Sequence, residues 1–392
     1  MLFNSLEKYF SIPDFKRIDL IFLSLFLFLT FFGLLAVATA SVEFSDSVTG
    51  EPQNFTKKQF AHLLVGFFLF ISLLSIPLKF WESFDRFFLG VGIVLLIMVF
   101  LPGIGLEVNG SHRWLRIGSI GFQPSELMKF LTIIYVAGYC VRRLKDLQSH
   151  WFAFFKPSVL VVIVVSLILM QPDLGTSAVI FITVLGMFFI AGVQIRQFML
   201  VIGIGFLGIL ASIIFVPWRW ERIISFMDPW ADPSGGGYQL TLSLMAISRG
   251  DWFGVGLGEG LMKLGYLPDA HTDFIFSIIV EEMGIFTAII IISTLFLLSF
   301  RSFYIGKRAL ERNLYFGFFI SYGVAILIGL HTFINVGVAS GLLPTKGLTL
   351  PFISYGGTSL LIMCSLCALV LRVDQETKSS MPAVNISRKV SF

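Results

Sequence analysis

The stretch LIFLSLFLFLTFFGLLAVATA, residues 20–40, carries no charged side chain from end to end. A helix needs about 20 predominantly apolar residues to cross the hydrocarbon of a bilayer. In that medium a helix satisfies every backbone N–H and C=O within its own segment. Residues 20–40 therefore read as a membrane span. The same ruler finds further runs near 59–76, 86–101, 124–141, 157–170, 174–191, 197–216, 274–300, 313–340 and 352–372. The runs at 86–101 and 157–170 are short, while those at 274–300 and 313–340 are long enough to tilt or to extend beyond the bilayer. Composition agrees, with 56% hydrophobic and 13% charged residues and a mean hydropathy of +0.88, where a soluble domain is about a quarter charged. The expected fold is an all-α membrane protein of ten transmembrane helices, one polytopic domain over residues 1–392.

An even number of crossings puts both termini on one side. Lys and Arg gather in residues 1–19, in the loops near 77–86, 142–156, 192–196 and 301–312, and in the tail 373–392. They outnumber those on the opposite side roughly two to one, which makes the termini cytoplasmic. Membrane orientation thus accounts for the net charge of +4 and the pI near 8.9, with no nucleic-acid partner required. The first run is preceded by charged residues without a small-residue cleavage site and reads as a retained anchor. Cys140, Cys364 and Cys367 all lie in apolar runs and read as buried thiols. One external segment is long, residues 217–273 between the seventh and eighth helices. Its opening PWRWERIISFMDPWADPSGGGYQL is too aromatic for disorder, and a loop of this length is usually functional.

Four polar clusters interrupt this apolar pattern. In GSHRWLRIGSIGFQPSELMKF (110–130), Pro124 suits the first turn of a helix. Glu126 and Lys129 then share a face as a structural ion pair or, with Arg113 and Arg116, help to grip a phosphate. The two arginines would share a face in a helix and point apart in a strand, and the Gly118-Ser119 turn hints at a hairpin. In QPDLGTS (171–177), Asp173 fits a helix cap and is a further cavity candidate.

The third cluster, YLPDAHTDFIFSIIVEEMG (266–284), offers Thr272 or Asp273 as a helix N-cap, or Asp273 as a general base where the external segment meets a membrane cavity. His271 stands beside it. At 100° per residue Ser277 shares the face of Asp273, whereas Glu281 and Glu282 lie about 80° and 180° away. These two glutamates are therefore expected to contact other helices. In the fourth cluster, LLPTKGLTLPFISYGGTS (342–359), the prolines and glycines predict broken or re-entrant backbone. Lys346, Ser354 and Tyr355 are its cavity candidates, and Gly356 and Gly357 allow close helix contact.

HRWLRIGSIGFQPSELMKF, QPDLGTS, FMDPWADPSGGGYQL, YLPDAHTDFIFSIIVEEMG and LPTKGLTLPFISYGGTS follow one another in the order found in the SEDS (shape, elongation, division and sporulation) family of bacteria. The resemblance covers essentially the whole chain and looks most like the cell-division branch. It implies a peptidoglycan glycosyltransferase of the bacterial cytoplasmic membrane that polymerises lipid II at the outer face of the division septum. It also implies partners, a class B penicillin-binding protein and other division proteins. By the same resemblance Asp273 is the catalytic carboxylate, and Arg113, Trp114, Arg116, Glu126 and Lys129 are family positions.

Lipid II is a disaccharide-pentapeptide on undecaprenyl diphosphate, so its anomeric carbon already carries a leaving group. Transfer then needs a base for the incoming 4-hydroxyl and positive charge for the diphosphate, with or without a divalent cation such as Mg²⁺ or Mn²⁺. One displacement inverts the donor to a β-1,4 bond. A lipid II flippase and a non-enzymatic division scaffold are the rival readings, although no inverted repeat of the kind many transporters show is evident.

Overall fold

The computed structural model describes residues 18–108, 111–117 and 120–380. Most of the expected N-terminal segment 1–19, and residues 381–392 of the expected tail, lie outside the described residues. All ten apolar runs form helices: α1 (Leu20–Ala40), α3 (Asn54–Leu74), α4 (Leu78–Met98), α5 (Pro124–Ser149), α6 (Trp151–Met170), α7 (Leu174–Ile190), α8 (Ile195–Ile214), α11 (Ile275–Glu311), α12 (Tyr315–Ala339) and α13 (Gly357–Ser379). Among the described residues three helices fall outside the runs, α2 (Val42–Thr49), α9 (Pro217–Met227) and α10 (Tyr238–Gly250). By length and composition α1, α3, α6, α11, α12 and α13 can cross a membrane, and α7 and the Ile195–Ala211 part of α8 are shorter apolar stretches. Charged side chains dilute α4 (Lys79, Glu82, Asp85, Arg86) and α5 (Glu126, Lys129).

The all-α expectation needs one correction. The segment before α5 forms a three-stranded antiparallel sheet, β1 (Gly105–Val108), β2 (Ser111–Ile117) and β3 (Ile120–Phe122), in the order β1-β2-β3. Side chains alternate across a strand, so within β2 Leu115 is buried while Arg116 is exposed. Pairing of Leu115 with Phe122 and of Arg116 with Gly121 brings the chain back to Pro124, where α5 starts.

Asp19 caps α1 by accepting from the Phe22 N–H at 2.9 Å, and it also takes Arg301 of α11 at 2.7 Å. α11 lies along α12, α3 along α13, α4 along α5 and α10 along α11, with α12 and α13 at the centre of the apolar core. The last helix departs from its expected bounds at both ends. It begins at Gly357, after the irregular 340–356 segment, and runs on to Ser379 through the expected tail. Asp374 holds this extension by pairing with Arg308 at 3.3 Å and Lys378 at 2.6 Å.

Helix α11 is broken. Gly284 sits at φ +79°, and the irregular segment 251–256 lies in the gap. Ile285 and Phe286 donate to the carbonyls of Asp251 and Trp252, while Val255 and Gly256 donate to those of Glu281 and Glu282. These bonds occupy groups that the interrupted helix leaves unpaired. A Cβ on Gly284 would sit 2.3 Å from the Trp252 oxygen, so the left-handed φ and the close approach both require glycine.

Glu281 and Glu282 belong to this joint. Glu281 accepts from the N–H groups of Leu261 (2.9 Å) and Met262 (3.2 Å), and Arg249 of α10 lies 3.5 Å away. Glu282 pairs with buried Lys263 at 2.5 Å. The expectation that both contact other helices is thus met only by Arg249. The remaining partners, Leu261, Met262 and Lys263, come from the irregular segment between α10 and α11, because the break opens the helix side to it.

Candidate active site at a two-chambered outer cavity

Asp273 is presented by a turn. The carbonyl of Asp269, itself at φ +53°, accepts from the N–H groups of Thr272, Asp273 and Phe274. The N-cap of α11 is Phe274, with no side-chain cap. Neither Thr272 nor Asp273 caps the helix, which leaves the Asp273 carboxylate to the cavity. The Asn335 amide of α12 fixes the turn from behind, donating to the carbonyls of Asp273 (3.0 Å) and Leu348 (2.6 Å). It thereby ties the turn to the 345–349 loop. There Gly347 faces the carboxylate so closely that an added Cβ would lie 2.8 Å from Asp273 Oδ2.

Two cavities of about 600 and 550 Å³ meet at this carboxylate and share Arg113, Trp114, Asp173, Asp273 and Gly347 as a common wall. Each falls within the range of about 300–1,000 Å³ typical of small-ligand sites. The first is walled largely by hydroxyls and amides, among them Gln123, Thr349, Tyr355, Thr358 and Ser359, with Glu126, Lys58 and His62 as its further polar groups. The second adds the cations Arg222 and Lys346 and the carboxylate Asp269.

Charge in this confined space shifts protonation. Burial above all, together with the carboxylates of Asp269 and Asp173, pushes Asp273 up to about 7, against the pull of Arg113 and Arg222. Burial, aided by Arg222 and Arg219, pushes Lys346 down to about 8. A carboxylate poised near neutrality is the usual state of a general base.

The other expected site residues divide into two groups. Arg113 lines both chambers, with its guanidinium donating to the carbonyls of Gln171 (2.9 Å) and Pro172 (2.7 Å). Trp114 stands beside it on the shared wall, and Thr272 and Tyr355 line the first chamber. Asp173 serves in two ways. Its Oδ1 accepts from the Thr176 N–H at 3.0 Å as the cap of α7, and the residue lines both chambers.

Arg116 is exposed and lines neither cavity, since residues three apart on a strand point to opposite faces. Lys129 is fully buried behind Glu126, at 2.7 Å, with His331 Nε2 at 3.1 Å on its other side. His271 is buried among the rings of Phe44, Phe55 and Tyr355, and burial pushes it down to about 4. It is therefore neutral at pH 7. Ser277 bonds Ser243 of α10 at 2.6 Å, and Ser354 accepts from the Leu350 N–H at 2.8 Å. Both are structural.

Arg222, Asp269, Asn335 and Gln123 were not singled out from the sequence. Asp269 lies one helical turn before Asp273, and Arg222 lies in the aromatic-rich external stretch; both signals were available. Asn335 was hidden in an apolar run. Among the described residues no three His, Cys, Asp or Glu side chains are grouped to hold a metal ion.

A helical membrane bundle with a charged cavity around one poised carboxylate defines a class of membrane proteins built for chemistry on a polar substrate. The family model for cell cycle proteins of the FtsW, RodA and SpoVE type matches residues 19–379, and the chain belongs to that family. It is 43% identical over 368 residues to a protein of Saccharophagus degradans named probable peptidoglycan glycosyltransferase FtsW, covering 94% of this chain and 95% of that one. A protein of the same name from Buchnera aphidicola is 42% identical over 376 residues, covering 96% and 92%. Among solved structures, a chain described for structural coordination of polymerization and crosslinking by a peptidoglycan synthase complex superposes with a TM-score of 0.74. It is 26% identical and covers 92% of this chain and 98% of that one. The rod shape determining protein RodA of Thermus thermophilus shares the fold, with a TM-score of 0.67 at 24% identity, covering 93% of this chain and 99% of that one. The protein is accordingly a multi-pass membrane protein.

Proposed function

We propose that the chain polymerises lipid II into β-1,4 glycan strands at the outer face of the bacterial cytoplasmic membrane, with Asp273 as general base. It is a peptidoglycan glycosyltransferase, the activity named for relatives that match nearly its whole length. The observation that carries the mechanism is the Asp273 carboxylate, held near 7 on the wall between two chambers. Asp273 takes the proton of the acceptor 4-hydroxyl as its oxygen bonds to the anomeric carbon. The bond from that carbon to the diphosphate breaks on the opposite face, and the leaving group departs with the electron pair. Arg113, Arg222 and Lys346 stabilise the charge that develops there. The diphosphate leaves well without protonation, so no general acid is needed.

In this reading the chain crosses the membrane ten times with both termini cytoplasmic, and the 217–273 segment caps the outer cavity. It acts at the division septum beside a class B penicillin-binding protein, a partnership supported by the resemblance and by the synthase complex whose chain shares this fold. A Mg²⁺ or Mn²⁺ ion would be held by the cavity carboxylates Asp173 and Asp269 and would supply further positive charge for the departing diphosphate. No step depends on it. Purified protein with its transpeptidase partner is expected to convert labelled lipid II into glycan chains. Lipid II moved across vesicles, or left unchanged, would contradict the assignment.

A further inference from the structure

We propose that the two chambers divide the substrates: the hydroxyl-rich chamber takes the acceptor sugar and the cationic chamber takes the donor's diphosphate. The inference rests on the glycosyltransferase reading and assigns the roles of its two sides. In a single inverting displacement the nucleophile and the leaving group occupy opposite faces of one carbon. The base must therefore stand on the nucleophile's side while remaining in reach of the reacting carbon. A carboxylate on the wall between two cavities meets that requirement.

Charge sets which chamber is which. Arg222 and Lys346 line only the second chamber, and with Arg113 on the shared wall they make it the place for a doubly charged leaving group. Where the second chamber sets two cations against Asp269, the first sets a single one, Lys58, against Glu126. This side chain is 6% exposed, its Oε1 is held by Lys129, and its Oε2 is buried without a partner. A buried carboxylate oxygen left unpaired is costly, and its complement is a donor group. Sugar hydroxyls and N-acetyl N–H groups are donors. A diphosphate at neutral pH is an acceptor and would be repelled.

The free oxygen is also held in place. Lys129 donates to Glu126 on one side and faces His331 Nε2 on the other, at 3.1 Å. An ammonium only donates, so that nitrogen must accept and the ring proton sits on Nδ1. Nδ1 lies 3.3 Å from the Thr349 carbonyl. His331 is thus a positioning residue that locks the pair to the loop lining the same chamber.

Two probes separate the roles. A lipid-linked disaccharide blocked at its terminal 4-hydroxyl can only donate. One whose anomeric oxygen is replaced by a methylene, so that the phosphonate cannot leave, can only accept. Joining them yields one tetrasaccharide, whose rate gives a KM for each. Glu126→Gln is expected to raise the acceptor KM about tenfold or more while the donor KM stays within about twofold, the loss expected for one hydrogen bond to a charged group. Lys346→Gln should do the reverse. Should Glu126→Gln fail to fold, Ser359→Ala carries the same expectation with a rise of a few-fold, and its unchanged donor KM reports intact folding. Variants that move both KM values together, or the opposite one, would overturn the assignment. Wild-type protein that joins neither probe would overturn the glycosyltransferase reading, and this assignment with it.

Discussion

Asp273 and the Glu281–Glu282 pair belong to one polar stretch, yet the fold treats them oppositely. Each glutamate is anchored through its side chain: Glu281 by two backbone N–H groups with Arg249 nearby, Glu282 by Lys263. Both are buried at a helix break that the external segment fills. Asp273 is held only through its backbone, by Asp269 and Asn335, and its carboxylate faces the cavity. The difference teaches that a carboxylate anchored by its own oxygens is a structural part, whereas one fixed by its backbone alone is free for chemistry.

The contrast can be broken in order of expected effect. Asp273→Asn keeps the shape of the turn and removes the base. Glycan synthesis is expected to fall by about 10²–10⁴-fold with an unaltered thermal unfolding profile, and near-normal synthesis would erase the distinction. Gly347→Ala places a methyl against the Asp273 carboxylate. The displaced base should cost about 10²-fold in rate, with stability again unchanged.

Glu282→Gln acts on the other side of the comparison. It strands buried Lys263 and should lower stability by about 3–5 kcal/mol, read as a drop in Tm in detergent, while the protein that remains folded stays active. Smallest of all is Arg116→Ala. With the side chain exposed and outside both chambers, initial rates should stay within about twofold, the scale of a surface change.

Much of this was legible in the sequence. Hydrophobic length located all ten long helices, because the hydrocarbon penalty demands a long apolar run, but it missed the charged turns by which α4 and α13 reach beyond their runs. Helical geometry separated Asp273 from Glu281 and Glu282 before any coordinates. It could not show the break at Gly284, since a glycine in an apolar run is equally a packing residue, and the segment that fills the gap lies far away in the chain. The sheet was seen only as a hint of a hairpin at Gly118-Ser119, because short strands leave little period-2 signal. The cap at Asp173 was read correctly from local pattern, while its place on the cavity wall depended on contacts between distant segments. Asn335 and Arg222 were missed for that same reason.

The pH dependence of kcat/KM for lipid II tests the role of Asp273 most directly, since it reports groups of the free enzyme. Asp273 works as the carboxylate, so activity should fall as pH drops through about 7. Lys346 works as the ammonium, so activity should also fall as pH rises through about 8. The result is a narrow bell, and Lys346→Arg should move its alkaline limb upward while leaving the acid limb in place. An acid limb near 4, the ordinary range of an exposed carboxylate, would contradict the account.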